Sequence, residues 1–350
     1  MLYILCIVAV SIFSLFADKK NKQLFVFLCA FVLSFLCGMR GIGTGVDTIH
    51  YYNFMSYIRG SGVSFGSDIG FSIISYFLMG IFNNPYYPLI VFSFVTNFLI
   101  VYRLWDFREE ADFTLMLLIY MVVYYSYTFN IVRQFFAISI IFWGTRYIER
   151  GEYIKYIILN ILATTIHTSS LICFSFLFVT FGFKTKKKKF KFLGFGMAVL
   201  LVAIGIKIFN DNIAKYEGYF LTANTTIHAM TILKIFCLLL VIFSNKVFRN
   251  NAFSVSSKGE IIPMQRQIPI MYAAGLALAT MGMGFTFMNR IGFYFIIYEI
   301  PFWGQTVRAR TNREIYRVMI FLILAYVLIS NLLSKESADN LFYYNSFLTN

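Results

Sequence analysis

The sequence predicts an all-α, polytopic membrane protein, and three observations carry that prediction: the composition, the recurrence of apolar runs, and the sidedness of the basic residues. Of 350 residues, 59% are hydrophobic, 20% aromatic and only 13% charged, with a mean hydropathy of +0.72. A water-soluble globule cannot hide that much apolar surface, so hydrocarbon has to be the solvent. Apolar runs of the roughly 17 to 25 residues that cross a bilayer recur along the chain. Only short polar or charged stretches separate them, and no soluble domain is left over.

The expected spans are 2–16, 23–39, 86–102, 113–129, 131–148, 153–166, 169–183, 190–209, 228–246, 268–286, 290–307 and 316–332. They make about twelve transmembrane helices, with ends loose by a few residues. Leu2 to Phe16 has neither a basic leader nor a small-residue cleavage site and is followed by Asp18-Lys19-Lys20-Asn21-Lys22, so it reads as a retained first span. The pair 153–166 and 169–183 almost abuts at His167-Thr168-Ser169-Ser170 and meets at one surface. Asp68 to Phe82 is apolar but begins in a Gly/Ser-rich stretch and ends at Asn83-Asn84-Pro85. A helix lying in the outer interface is expected there, because a span would invert every later loop. The whole chain, 1–350, thus reads as one integral membrane domain, with an outer loop and interfacial helix over 40–85 and a second outer loop over 210–227.

Alternating sides from the first span gathers most of the 30 Lys and Arg on one face. They fall in the loops around Lys19 to Lys22, Arg103 and Arg108, Arg146 to Lys155, Lys184 to Lys191, Lys246 to Arg266, and Arg308 to Arg317. That asymmetry marks the cytoplasmic side and puts both termini outside. It also accounts for the net charge of +14 without nucleic acid, since short basic loops face anionic lipid head groups. Cys6, Cys29, Cys37, Cys173 and Cys237 lie inside apolar runs with no C-x-x-C spacing, and read as packing residues.

A second set of ionisable residues falls on the outer side: Arg40, Asp47, His50, Arg59, Asp68, Arg133, His167, His228 and Arg290. Charge near hydrocarbon is costly unless it is paired or faces a wet cavity, so these are candidates for function. Arg133 sits one turn into an apolar helix, and Arg290 has a similar place. Each is either an arginine snorkelling from a helix end or an anion ligand. His167 is either a structural histidine or a general base. His50 follows Asp47 by three residues without a convincing third ligand, so neither a metal nor a cofactor is expected. The glycines after Arg40 match no nucleotide-binding pattern. Glu299, just before Pro301 on the inner half of its helix, reads as a structural partner of an inner-side arginine, and Lys234 and Lys207 as snorkelling or cavity-lining. Guanidinium groups converging on one outer cavity suit a phosphate or pyrophosphate, which they bind through paired donors without losing charge. That points to an anionic lipid carrier.

Five elements, in order, resemble a known family: Arg-Gly-x-Gly-x-Gly-x-Asp-Thr-x-x-Tyr-Tyr (Arg40 to Tyr52), Asn-x-x-Arg-Gln (Asn130 to Gln134), Ala-x-x-x-His-x-Ser (Ala163 to Ser169), Arg-x-x-x-Tyr-Phe (Arg290 to Phe295) and the terminal Tyr343-Tyr344. Together they resemble the EpsG-like group of Wzy-type polysaccharide polymerases, O-antigen polymerases included. The resemblance implies a helical bundle of the GT-C type and a glycosyltransferase of the bacterial inner membrane with its site facing the periplasm. There it would move a growing glycan from undecaprenyl pyrophosphate onto an incoming lipid-linked repeat unit, for O-antigen, capsule or exopolysaccharide. It also brings in a chain-length regulator and a ligase of the same pathway as partners. The loop before residue 228 departs from the pattern, with no acid beyond Asp211 and Glu217.

On this reading Arg133, Arg290 and Arg40 hold the pyrophosphate and His167 or Asp47 is the base. Tyr51, Tyr52, Asn130 and Gln134 meet the sugars. A flippase or transporter of lipid-linked oligosaccharide and a membrane acyltransferase remain alternatives. Transporters bind near the midplane between internal repeats, whereas the charges here cluster at one interface without a convincing repeat; an acyltransferase leaves the outer arginines unassigned.

Overall fold

Backbone N–H and C=O groups in hydrocarbon have only each other to bond, so long apolar runs are driven into helices. In the computed structural model the apolar runs are indeed helical. The structure describes residues 2–17, 22–63, 68–184, 188–211, 229–244, 267–281, 286–308, 313–333 and 344–347. His228, Glu217, Tyr343, most of the 210–227 loop, the side chain of Lys207, and the basic loops around Lys19, Lys246 to Arg266 and Arg310 lie outside the described residues.

The helices are α1 (Leu2–Ala17), α2 (Lys22–Gly38), α3 (Thr48–Ser61), α4 (Ile69–Ile81), α5 (Tyr86–Asp106), α6 (Phe113–Ile119), α7 (Tyr127–Asn130), α8 (Val132–Glu149), α9 (Tyr153–Ile166), α10 (Ser175–Lys184), α11 (Lys188–Asp211), α12 (Ala229–Ser244), α13 (Ile268–Met281), α14 (Thr286–Ile296), α15 (Glu299–Arg308) and α16 (Arg313–Leu333). Among the described residues the only β pairing is a bridge between Arg40 and Ser346. Among the described residues one stretch, Tyr86–Glu109, is by itself long and apolar enough to cross a membrane, and several apolar helices of 10–17 residues accompany it. The five cysteines are buried and unpaired.

Three expected spans are interrupted. Within 113–129 a π turn, Tyr120–Tyr124, separates α6 from α7. Tyr125 N–H reaches back to Tyr120 O, while the Tyr3 and Tyr125 hydroxyls donate to the Met121 and Leu33 carbonyls. In 169–183 the first half is a 3-10 helix, Thr168–Phe174, whose first N–H and hydroxyl, those of Thr168, are both given to the Asp68 carboxylate. In 290–307 the helix breaks between α14 and α15. Pro301 there occupies the third position of α15, where a missing N–H costs nothing, and the Ile297 carbonyl is taken by Ile300 N–H.

The chain forms two compact units. The first comprises Met1–Trp143, Thr165–Thr168 and Trp303–Asn350. In it α2 packs chiefly on α5 through edge-on rings, Phe27 on Phe98 at 5.4 Å and Phe31 on Phe94 at 5.8 Å. α3 and α4 form a pair that also touches α5, so the 40–85 segment holds two helices where the sequence suggested one. At 13 residues α4 is about 20 Å long, short of a bilayer core.

The second unit comprises Gly144–Thr164 and Ser169–Phe302. There α13 lies against α14 so closely that a Cβ on Gly275 would fall 2.4 Å from the Ile296 nitrogen. Its interior holds an ion pair: Lys234 Nζ lies 2.7 Å from Glu299 Oε2, and Tyr272 donates to Oε1 at 3.2 Å. Glu299 is thus held by a lysine and a tyrosine, where the sequence suggested an inner-side arginine. Hydropathy cannot choose among basic residues on distant helices.

Candidate functional site

Within the first unit the site is built around the carboxylate of Asp68, the residue that precedes α4. Its Oδ2 accepts from Arg133 Nη1 at 2.9 Å and lies 3.4 Å from His167 Nδ1. Its Oδ1 accepts from both the backbone N–H and the hydroxyl of Thr168, each at 3.2 Å. Asp68 and His167 are mostly enclosed, with side chains 13% and 19% exposed, whereas Arg133 is 42% exposed. An arginine half open to its surroundings thus stands beside an imidazole that is nearly closed off.

The local sequence explains why these residues meet. The turn Asn83-Asn84-Pro85, in which Asn84 Oδ1 accepts from Tyr86 N–H, starts α5 and limits α4 to a short helix. Gly70, the second residue of α4, lies against Thr165 at the end of α9. A Cβ there would fall 2.2 Å from Thr165 Oγ1 and 3.0 Å from its carbonyl carbon. Only the bare backbone lets Asp68 approach the 165–168 segment. On the other side Phe71 stacks on Phe92 at 4.7 Å and Phe92 meets Phe136 edge-on at 5.1 Å, which ties α4 through α5 to the helix that carries Arg133. The guanidinium sits 5.9 Å from the Tyr51 ring centroid and 5.8 Å from that of Phe71, and the Tyr51 hydroxyl accepts from Arg133 N–H at 3.5 Å.

Burial alone would push the Asp68 carboxyl up. The hydrogen bond and charge of His167, the charge of Arg133 and the Thr168 amide outweigh it, and the group titrates below the ordinary aspartate range. It is an anion bound by several donors and keeps its charge under physiological conditions.

The other expected site residues are distributed as follows. Arg40 is fully buried. Its Nε donates to Thr48 Oγ1 at 3.1 Å, and Nη1 donates to Cys37 O at 2.8 Å and Ser93 Oγ at 3.1 Å, with the Phe129 ring 5.6 Å away. Residues 344–347 close over this loop: Gly41 N–H donates to Asn345 O, Phe347 N–H to Met39 O, and the Tyr344 hydroxyl to Leu36 O. Asp47 precedes α3 without capping it by its side chain, and His50 is exposed. Tyr52 packs on Tyr86 at 4.9 Å, which in turn stacks on Phe347 at 4.8 Å. Gly45 takes φ +86° where its Cβ would meet Asn130 Oδ1 at 2.9 Å, so the glycine loop and the Asn-x-x-Arg-Gln element touch. Gln134 is buried, and Asn130 donates to Ser126 O at 3.4 Å. Arg290 belongs to the second unit, exposed on α14; one turn later Tyr294 accepts from Ser169 at 3.3 Å.

Arg133 and His167 are thus brought together on Asp68, with Tyr51 against Arg133; the sequence marked Asp68 as a candidate but gave it no specific role. A signal existed, because an arginine in an apolar helix needs a counter-ion and few acids share the side on which the basic-loop pattern would put Arg133. Sequence could not choose between Asp47 and Asp68.

No curated protein and no solved structure matches the chain. The sequence model of the EpsG family matches residues 23–346, nearly the whole length, and spans all five motifs. That family is Wzy-polymerase-like, which supports a glycosyltransferase-related part in polysaccharide biosynthesis. The arginine, histidine and glycine-loop elements that come together in the first unit fall inside this match, and the chain belongs to the EpsG family.

Proposed function

We propose that the chain is a Wzy-type polymerase that works at the outer face of the cytoplasmic membrane. It transfers a growing glycan from undecaprenyl pyrophosphate onto the terminal sugar of an incoming lipid-linked repeat unit. What supports the reading is one observation: a half-exposed arginine and an enclosed histidine, both from family motifs, meet on one carboxylate. In this reading about twelve helices cross the bilayer with both termini outside, as the basic loops suggest.

Arg133 holds the donor diphosphate. The acceptor hydroxyl oxygen attacks the anomeric carbon, the bond from that carbon to the diphosphate oxygen breaks, and its electron pair leaves on undecaprenyl diphosphate. His167 takes the hydroxyl proton at Nε2. Fixed guanidinium charge stabilises the leaving group as its charge grows, and holding two lipid-tethered substrates in one cleft supplies much of the remainder. Tyr51, Tyr52, Asn130 and Gln134 offer rings and amides to the sugars. Arg40, enclosed by protein, serves the scaffold in this reading.

Export of the lipid-linked unit is the second reading, and one observation favours it: an enclosed Lys234–Glu299 pair beside a broken helix, a combination that transporters use for coupling. A gel of lipopolysaccharide or capsule from a strain lacking the chain separates the two. Loss of polymerisation leaves a core with one repeat unit, whereas loss of export leaves none.

A further inference from the structure

Asp68 Oδ2 serves two donors at once, Arg133 Nη1 at 2.9 Å and His167 Nδ1 at 3.4 Å, while Oδ1 is occupied by Thr168. The two contacts on Oδ2 are unequal. The guanidinium has the shorter one, and the imidazole is left at the outer limit of hydrogen-bond length. Arg133 is the only one of the three side chains with substantial access to its surroundings. An arriving dianion therefore meets the guanidinium first and offers it paired, charge-assisted contacts that a shared carboxylate oxygen does not.

We infer that Asp68 is a positioning residue that couples diphosphate binding to the readiness of the His167 base: a bound diphosphate draws Arg133 off Oδ2, and the freed oxygen takes the His167 Nδ1–H fully. This rests on the polymerase reading above and deepens it. With Nδ1 as donor to Asp68, the neutral ring carries its lone pair on Nε2, the nitrogen that faces away from the carboxylate and takes the proton. Before the donor arrives the base is loosely held; after, it is oriented and its developing positive charge is matched by a carboxylate. Thr168 keeps Asp68 in place throughout, because its two donors hold Oδ1 whichever partner occupies Oδ2.

The chemistry predicts a specific failure in Asp68→Asn. The single amide oxygen is claimed by the two Thr168 donors, which turns the amide N–H₂ toward His167. That group donates to Nδ1 and drives the ring proton to Nε2, the tautomer that cannot accept a proton there. Turnover should fall by about 10²-fold or more, the usual contribution of a general base, with KM for the lipid-linked acceptor little changed. Asp68→Glu should recover part of it.

The direct test is ¹⁵N NMR of histidine-labelled full-length protein, which has only three histidines, with His167→Gln to assign the signal. Inorganic pyrophosphate is the probe, and its binding is read separately in wild type and Arg133→Ala. The expected result is a rise of the Nδ1-protonated signature of His167 on adding pyrophosphate to wild type, with the Nε2-protonated form in Asp68→Asn whether or not pyrophosphate is present. Arg133-dependent binding with an unmoved His167 signal overturns the coupling and leaves the polymerase reading standing. So does an equal response in Asp68→Asn. Binding that does not depend on Arg133 overturns both.

Discussion

Gly70→Ala is a small change with a large expected consequence. The added Cβ would lie 2.2 Å from Thr165 Oγ1, 2.8 Å from Thr165 Cβ and 3.0 Å from its carbonyl carbon. The hydroxyl can rotate away, but Cβ and the backbone cannot. Comfortable contact is about 3.5 Å or more, so α4 has to withdraw by roughly an ångström. Alanine in a helix gains at most about 1 kcal/mol over glycine, and overpacking of this kind costs about 1–3 kcal/mol, so the net sign is destabilising. The effect on function should exceed that on stability. The 3.4 Å contact between Asp68 and His167 has no slack, and a misplacement of about 1 Å at a reacting group costs about 10²-fold. Gly80→Ala is the control: it lies on the same helix with nothing within 4 Å of its Cβ, and should be neutral or mildly stabilising. Thermal denaturation in detergent and the chain-length ladder read the two effects. Equal behaviour of the two variants, in stability and in chain length, refutes the close-approach argument.

Other perturbations have equally definite outcomes. Lys234→Met strands the enclosed Glu299 carboxylate and should cost about 3–5 kcal/mol, with Lys234→Met/Glu299→Gln recovering most of it; a thermal melt of the three proteins decides. Because the Asp68 carboxyl is held below its unfolded value, near 3.9, its contribution to stability is fully present above that pH and is lost as pH falls through the folded value. The melting-temperature gap between wild type and Asp68→Asn should therefore narrow on acidification below about pH 4, and a gap that widens contradicts the assignment. Arg40→Ala should lower stability by loosening α2, the glycine loop and residues 344–347 together, visible as faster proteolysis near the C-terminus.

The helices were legible because the apolar runs and their polar boundaries coincide: α1, α2, α8 and α9 begin and end within a residue or two of the expected limits. The interruptions at 120–124 and 168–174 were not, because they are decided by tertiary partners, whereas the break before Pro301 falls where a proline invites one. The π turn at Tyr120–Tyr124 sits in an unbroken apolar stretch, and is supported by tyrosine hydroxyls that reach in from α1 and out to α2. The candidate site was half legible. Arg133 and His167 stand out as polar residues in apolar surroundings, and Tyr51 as part of a motif. The carboxylate that joins them stands at the edge of an ambiguous segment, and its approach depends on a glycine whose neighbour lies about a hundred residues further along the chain. Arg40 carried the right chemistry for an anion, but burial is a property of the folded loop that spacing does not reveal.

The account turns on Arg133 as the grip on the leaving diphosphate. Purified protein supplied with lipid-linked repeat units should release one undecaprenyl diphosphate for each new linkage. Arg133→Ala, folded and inserted to wild-type levels, should release it about 10²-fold more slowly, with Arg133→Lys recovering little because it lacks the planar pair of donors. Release by Arg133→Ala at the wild-type rate contradicts the account.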